Sequence, residues 1–248
     1  MRAPRRVTFV AVEGALLILV GLAVRTPALE AEPEPAVCID SGHNLDQPGA
    51  AVTVKIGRGR NAERFELREA DINLDVTHEV RRILQDRDVS VIMTWDGDPT
   101  LPGPDAGSSD DRLGVTVRGK QCQDGGAGIV VSIHTNGADL PFNGTMTLYN
   151  DAADRVLAEF VHRPIYDALR FAPNGKCISG FRNFGLNQGE WWLSLGADQL
   201  AVVLLEPVDR TNDAEARLLF KSIAEAPGGR RAQIARTEAA AVLDFLGH

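Results

Sequence analysis

The sequence predicts a single α/β domain, a mainly parallel twisted sheet with helices on both faces. Apolar runs of strand length alternate with stretches in which apolar residues recur every three or four positions. Two strand-like runs, 128–133 and 200–205, are almost uniformly apolar, as is typical of strands buried on both faces. Alternation of such strands with helices favours a parallel sheet that helices cover on each side.

The predicted strands are short and end at polar or glycine residues. In chain order they cover 37–40, 89–94, 128–133, 145–149 and 200–205. Residues 44–65 are rich in glycine and arginine and predict a long loop after the first strand. Residues 171–192 show no clear period and predict a structured surface excursion that could face a substrate.

Helical spacing of apolar residues predicts five helical regions. They cover 69–88, 111–121, 156–169, 214–225 and 230–245. Pro164 falls inside the third region, where proline removes a backbone donor and clashes with the preceding turn. We therefore expect that helix to be kinked or split in two.

The first 28 residues have the features of a secretory signal peptide. A basic start is followed by an apolar stretch at 15–24 and then by small residues. This stretch is too short to span a bilayer, which makes an uncleaved anchor the weaker alternative. We expect cleavage near Ala28, a flexible lead-in at 29–36, a folded domain at 37–248, and a location outside the cell, in the periplasm or in the cell-wall space. No stable membrane anchor is expected after cleavage.

The charge balance excludes bulk electrostatic attraction to polyanions. The formal net charge is −8. Residues 1–28 carry four basic and one acidic side chain, so their removal lowers the net charge by 3, to −11. A domain this acidic is not drawn to nucleic acid or to anionic lipid.

The chain has three cysteines, Cys38, Cys122 and Cys177. In an oxidising compartment an odd number suggests one disulfide and one free thiol, and three pairings are possible. Cys38 begins a predicted strand, and Cys122 ends a helix that leads into another strand. Parallel strands place those two ends on one side of the sheet, which favours Cys38–Cys122. Three separate buried thiols are the alternative.

Two histidines and two carboxylates lie where parallel strands deliver their ends. His43 and His134 follow apolar runs, Glu206 comes directly after one, and Glu69 opens the first helix. Ligands of open α/β sheets collect at the carboxyl ends of the strands. The other histidines are interpreted as background; they are His78, His162 and His248.

These residue types suit a hydrolytic zinc site. Two histidines and one glutamate are a known set of three ligands that leaves the fourth zinc position open for water. A further carboxylate beside that water can move its proton. For Glu69 the alternative is a helix N-terminal carboxylate that the helix dipole favours. Glu206 is more telling, because a charge directly after an apolar strand must leave the core or find a partner.

Four segments resemble those of the zinc-dependent N-acetylmuramoyl-L-alanine amidases of the amidase type 3 family, which cleave peptidoglycan. Residues 40–44 (Asp-Ser-Gly-His-Asn) match the family's Asp-Pro-Gly-His-Gly segment, and 69–74 match its Glu-x-x-x-Asn-Leu segment. Residues 132–136 match its Ser-Ile-His-x-Asn segment, and Glu206 with Asn212 matches its last strand. The resemblance covers roughly residues 36–246, in family order.

The resemblance implies one zinc ion held by His43, Glu69 and His134, with Glu206 as the catalytic carboxylate. Three further residues could act around this site. Asp40 could orient His43 or merely cap its strand, and Arg118, which also recurs in the family, could pair with a substrate or a scaffold carboxylate. The third of these residues is Asn136, which could likewise support a ligand or contact the substrate.

The sequence departs from the family pattern at three positions around the site. Ser41 replaces a proline, Asn44 replaces a glycine, and Pro207 follows the catalytic glutamate in place of a small residue. None of these positions supplies a ligand, so the departures bear on loop shape. The pair Trp191 and Trp192 could stack on sugar rings, although core or lid packing is the commoner use of such a pair.

The implied function is that of a secreted zinc hydrolase. It would cleave the amide bond between N-acetylmuramic acid and L-alanine in peptidoglycan or in muramyl peptides. A zinc peptidase of other specificity and a catalytically inactive peptidoglycan-binding protein are the alternatives. No wall-binding repeat is recognisable in the sequence, and we expect a monomer.

Overall fold

The computed structural model describes residues 35–43, 49, 51–57, 62–97, 111–137, 143–189 and 200–248, without the side chains of 111–116. The predicted signal peptide and most of the lead-in lie outside these residues. The described residues belong to one unit, Glu34–His248. No helix in the described part of the chain is long and apolar enough to cross a membrane.

The described ranges contain eight strands in two sheets. They are β1 (Ala36–Ser41), β2 (Ala51–Ile56), β3 (Glu63–Arg68), β4 (Val91–Met93), β5 (Ala127–Ile133), β6 (Gly144–Tyr149), β7 (Arg182–Gln188) and β8 (Ala201–Glu206). Six form the main sheet in the order β4-β1-β5-β8-β6-β7, and β2 pairs with β3. The run from β4 to β8 is parallel, whereas β6 is antiparallel to β8. The predicted α/β fold with a mainly parallel sheet is confirmed.

The strands bury both faces, because alternate residues point into two different apolar clusters. On one side Ile39, Val131 and Val203 pack with apolar residues of the helices at 69–85, 152–169 and 230–246. On the other side Cys38 and Val130 pack into a smaller cluster. This two-sided burial is why the strand sequences are continuous apolar runs.

Five helices cover the sheet within the described residues. They are α1 (Glu69–Gln85), α2 (Asp111–Asp124), α3 (Ala152–Leu169), α4 (Asp213–Leu219) and α5 (Arg230–Leu246). Helix α5 packs against α1 and α3, and α2 packs against β5. Asp151 and Asp154 form a capping box that begins α3, and Gly247 (φ 83°) ends α5 in the left-handed conformation that glycine adopts readily.

Of the two outcomes predicted for Pro164, a kink or a split, the split is wrong, because α3 is one helix that contains this proline. Its buried stripe continues through the proline at helical spacing, with Val161 before it and Ile165 after it. Packing of this stripe on both sides of Pro164 holds the two halves in one helix, although a backbone hydrogen bond is lost.

Two predicted irregular regions contain strands. The predicted loop at 44–65 holds β2 and the beginning of β3, and the excursion at 171–192 holds β7, parallel to β6. The strands β2, β3 and β7 are exposed or half-buried for most of their length, and Val54 and Leu67 are the buried apolar residues of β2 and β3. The alternation of Val52, Val54 and Ile56 in β2 is a strand signal that the loop prediction missed, whereas β7 has only Phe184 and Leu186 as large apolar residues.

A disulfide joins Cys38 of β1 to Cys122 of α2, the pairing that the sequence favoured. The two Cα atoms lie 5.5 Å apart, and both residues are buried. Cys177 is exposed and carries a free thiol. The disulfide therefore fastens α2 to β1, the strand that leads to His43.

Candidate active site and metal centre

Three strands deliver the candidate site residues to one edge of the sheet. β1, β5 and β8 are neighbours, and their backbone pairing continues past the strand ends. The amide of Gly42 donates to the carbonyl of Ile133 (2.9 Å), and the amide of His134 donates to the carbonyl of Leu205 (3.0 Å). His43, His134 and Glu206 are thus placed by a continuous ladder of backbone hydrogen bonds.

His43, Glu69 and His134 form a group whose possible ligand atoms all lie within 4.8 Å of one another. His43 Nε2 lies 3.3 Å from Glu69 Oε2, and His134 Nδ1 lies 3.3 Å from Glu69 Oε1. The two imidazole rings are 5.1 Å apart and meet edge to face at 75°. Two imidazole nitrogens that converge on one carboxylate are a donor set that suits zinc.

The loop after β1 fits closely around this group. A side chain at Gly42 would collide with the ring of His134, so only glycine allows the two loops to lie this close. His43 itself has a φ of 64°, in the left-handed region that few non-glycine residues adopt. The loop therefore holds a strained conformation that aims the His43 ring at Glu69.

Asn73 ties the three elements of the site together, which the sequence did not predict. It is fully buried on α1, four residues after Glu69, and its Nδ2 donates to the carbonyl of Gly42 (2.9 Å). Its Oδ1 accepts from Thr135 Oγ1 (3.3 Å). The signal available in the sequence was its spacing, since residues four apart share one face of a helix.

Glu69 and His134 have the protonation states that cation binding needs. Burial alone would raise the pKa of Glu69, but contacts with His134 and His43 outweigh it and hold that pKa far below its usual value. Burial lowers the pKa of His134, although the charge of Glu69 opposes this. At neutral pH the carboxylate is therefore ionised and the imidazole of His134 is neutral.

Glu206 lies at the end of β8 and has a different environment. Burial, and next the charge of Glu69, raise the pKa of Glu206 to about 7, while the charge of Arg210 opposes the increase. Its Oε2 is buried and has no hydrogen-bond partner among the described residues. A carboxyl group with this pKa can exchange a proton near neutral pH.

Asp40 and Arg118 support the sheet and do not orient a ligand. Asp40 accepts hydrogen bonds from Thr94 Oγ1 (2.7 Å) and Ser132 Oγ (2.6 Å), and Arg118 Nε lies 2.9 Å from its Oδ1. Burial would raise the pKa of Asp40, but Arg118 and these hydrogen bonds outweigh it and hold the pKa low. The suggestion that Asp40 orients His43 is wrong, because its partners lie on β5, α2 and the end of β4.

Asn136 and Asn212 fix loops of the site by hydrogen bonds to backbone groups of other residues. The amide of Asn136 donates to the carbonyl of Val208, and its carbonyl accepts from the amide of Arg210, both at 2.9 Å. The side chain of Asn212 accepts from two amides in the first turn of α4 and so caps that helix. These contacts set the path of the chain after β5 and after β8.

Arg210 is a residue of the site that the sequence did not indicate. It is buried, and its Nη2 lies 2.7 Å from Glu69 Oε2. It lies four residues beyond Glu206, outside the matched positions, and no periodicity or motif distinguishes it from a surface arginine.

Of the three departures from the family pattern, Ser41 is buried and the carbonyl of Pro207 accepts a hydrogen bond from Thr145 Oγ1 (2.9 Å). Asn44, like Trp191 and Trp192, lies outside the described residues.

Solved structures of similar fold come from several bacteria. The catalytic domain of CwlV, an N-acetylmuramoyl-L-alanine amidase from Bacillus (Paenibacillus) polymyxa var. colistinus, superposes with a TM-score of 0.60 at 24% identity over 86% of this chain and 98% of that one. AmiC2 of Nostoc punctiforme, also an N-acetylmuramoyl-L-alanine amidase, gives the same values. The CwlD amidase of Clostridioides difficile, solved with the GerS lipoprotein, has a TM-score of 0.63 at 20% identity, with 86% and 98% covered.

The sequence itself is matched by a family model. A comparison with curated proteins gave no match. The model of the family described as N-acetylmuramoyl-L-alanine amidase matches residues 37–226, which is 190 of the 248 residues. This span contains all four segments that carry the resemblance, and the enzyme class follows from it. The chain belongs to the N-acetylmuramoyl-L-alanine amidase family.

Proposed function

We propose that this amidase is a zinc enzyme that hydrolyses the bond between N-acetylmuramic acid and L-alanine in peptidoglycan or its soluble fragments. His43, Glu69 and His134 would hold one zinc ion. The observation that carries the proposal is the pairing of this three-ligand group with Glu206, a carboxyl group outside it whose pKa lies near 7. A mere binding protein has no use for such a carboxyl group.

The metal would supply a Lewis acid that polarises the scissile carbonyl and acidifies water. The remaining chemistry belongs to Glu206. Positive charge held by the three ligands would lower its pKa, so that Glu206 starts as a carboxylate at neutral pH. It accepts a proton from the attacking water, whose oxygen bonds to the carbonyl carbon.

The same group completes the reaction. As the carbon–nitrogen bond breaks, Glu206 returns the proton to the departing amine of L-alanine. The products are the carboxylate of the muramic acid lactyl group and a peptide with a free amino terminus. Because one proton is taken and one is given back, Glu206 ends the cycle in the state in which it began.

We also propose that the enzyme acts outside the cytoplasm. The apolar segment near the N-terminus, with its basic start, supports export. The buried Cys38–Cys122 disulfide supports it independently, because such bonds persist in oxidising compartments.

One experiment tests the mechanism. Residues 29–248 are purified, zinc per chain is measured, and release of peptide from a muramyl peptide is compared for wild type and Glu206→Gln. We expect one zinc per chain in both proteins and a 10²- to 10⁴-fold lower kcat/KM in the variant, the usual contribution of a general base. Glu159→Gln, a change at an exposed ion pair on α3, is the matched control and should leave both quantities unchanged.

The possible outcomes separate the alternatives. Absence of zinc in the wild type, or full activity of Glu206→Gln, would contradict the mechanism. Zinc without turnover in the wild type would indicate a binding protein. Cleavage of peptides that lack muramic acid, at rates equal to those on muramyl peptides, would indicate a zinc peptidase of other specificity.

A further inference from the structure

Arg210 is a buried cation that contacts the carboxylate of the three-ligand group directly. Its side chain is 2% exposed, and its Nη2 lies 2.7 Å from Glu69 Oε2. Its Nη1 donates to the carbonyl of Thr135, the residue that follows His134. One guanidinium therefore binds both the helix that carries one candidate ligand and the loop that carries another.

The absence of a side chain at Gly137 leaves space for the Arg210 guanidinium. A Cβ atom at Gly137 would lie 2.5 Å from Arg210 Cζ and 2.6 Å from its Nη1, so any other residue there would displace the guanidinium. The backbone amide of Arg210 donates to the carbonyl of Asn136 (2.9 Å), which fixes where the side chain starts. Both ends of the arginine are thus held by the loop after β5.

These contacts leave Glu69 little freedom. Arg210 holds its Oε2, and the amide of Thr135 lies 3.4 Å from its Oε1. A carboxylate offers about four lone-pair directions on its two oxygens, so these donors orient the group and leave room for a further bond. Arg210 keeps its charge at every physiological pH, so the orientation does not depend on titration.

We propose that Arg210 is a positioning residue for the metal site, which presets the Glu69 carboxylate in the orientation that binds the ion. The proposal rests on the proposed zinc function. Two effects oppose each other here, since the charge of Arg210 repels a nearby dication whereas the fixed carboxylate favours binding. Loss of a partner that orients a ligand typically costs 10- to 100-fold in metal affinity, which indicates that orientation dominates.

Zinc affinity is the direct test, measured by competition with a chromophoric chelator. Arg210→Met keeps an unbranched apolar stem but removes the charge and all the donors, and we expect zinc to bind about 10- to 100-fold more weakly. Arg210→Lys keeps the charge and a single donor nitrogen and should recover part of the loss. The visible absorption of the Co²⁺-substituted protein should change in Arg210→Met, because the carboxylate ligand is reoriented.

A control variant and a second route to the same perturbation complete the test. Arg231→Met removes another buried arginine, one that pairs with Asp75, and should leave zinc affinity and the Co²⁺ spectrum unchanged. Gly137→Ala keeps Arg210 but displaces its guanidinium, and it should weaken zinc binding in the same direction. This variant tests the proposal even if Arg210→Met does not fold.

The results divide cleanly. If the wild type binds zinc and both Arg210→Met and Gly137→Ala bind it as tightly or more tightly, the positioning role is wrong and the zinc proposal stands. If the wild type binds no zinc, both proposals fail together. Weaker binding in both variants, with an altered Co²⁺ spectrum and an unaffected Arg231→Met control, supports the positioning role.

Discussion

Two buried glutamate–arginine pairs in this protein use the same chemistry for different ends. Glu215 and Arg230 are both fully buried, with Arg230 Nε 2.6 Å from Glu215 Oε1. Asn143 donates to the other carboxylate oxygen, and Arg230 also donates to the carbonyls of Leu169 and Phe171 after α3. This pair is surrounded by scaffold groups alone and joins α3, α4 and α5.

The pair at the candidate site has different neighbours. Glu69 also faces the imidazole nitrogens of His43 and His134, and burial lowers the pKa of His134. A neutral imidazole has a nitrogen lone pair that can bind a cation, whereas an amide NH2 group or a guanidinium nitrogen has none to offer. The difference shows that the groups around a buried ion pair decide whether it serves the scaffold or prepares a ligand.

The strongest test of this comparison removes the charge from each glutamate in turn. In metal-free protein, Glu69→Gln and Glu215→Gln each leave a buried arginine without its carboxylate, and we expect each to lower the free energy of unfolding by about 3–5 kcal/mol. Urea unfolding monitored by circular dichroism measures the change. Glu159→Gln, at an exposed pair, should cost less than about 1 kcal/mol. A cost below about 1 kcal/mol at Glu69 would show that its pair with Arg210 does not resemble the scaffold pair.

Added zinc should then distinguish the two pairs. A ligand at 100 times its Kd stabilises the folded state by about 2.7 kcal/mol. We expect this gain in the wild type and in Glu215→Gln, and none in Glu69→Gln at the same zinc concentration. Glu206→Gln should show the full gain, because a proton carrier is not a ligand. Thermal melts with zinc and with chelator provide the measurement, and loss of the gain in Glu206→Gln would place Glu206 among the ligands.

A third buried carboxyl group sharpens the comparison, because the described residues offer it no hydrogen-bond partner. Glu238 on α5 is fully buried, and neither of its oxygens has a hydrogen-bond partner among the described residues. Burial raises its pKa well above the usual value of 4.5. The folded state therefore keeps a proton on Glu238 at pH values where the unfolded chain has released it.

Stability should consequently fall as the pH rises above 4.5 toward the raised pKa, by about 1.4 kcal/mol per pH unit. Urea unfolding measured in steps from pH 4.5 upward tests this, with Glu238→Gln as the variant in which that contribution disappears. Equal pH dependence in wild type and variant would mean that Glu238 finds a partner in solution.

The sequence predicted where the candidate site residues lie better than it predicted the residues that hold them in place. Apolar runs that end at His43, His134 and Glu206 are a strong local signal, and the rule that parallel strands share one edge brings their ends together. Arg210 could not be recognised in this way, and Asn73 was identified only as a matched position of the family segment, without a role. Their importance depends on contacts with residues distant in the chain, and a buried arginine looks like an exposed one until the fold is known.

The same reasoning explains the errors in the fold. Buried strands carry a continuous apolar signal, so β5 and β8 were placed within one or two residues. β2 does alternate at Val52, Val54 and Ile56, but it lies in a stretch rich in glycine and arginine, a composition that predicts a loop, and β7 has few apolar residues to form a pattern. At Pro164 the local rule was sound, but tertiary packing of α3 outweighed it.

The attachment of α2 to β1 bears on the compartment in which folding of this protein can be completed. Arg118 and Cys122 lie one turn apart on α2, and their partners Asp40 and Cys38 lie two residues apart on β1, so that one helix face meets one strand face at two points. One point is ionic and forms in any compartment. The other is covalent and requires an oxidising one. In a reducing cytoplasm only the Arg118–Asp40 ion pair would hold α2 to β1, the strand that leads to His43. In an oxidising space the Cys38–Cys122 disulfide would form as well.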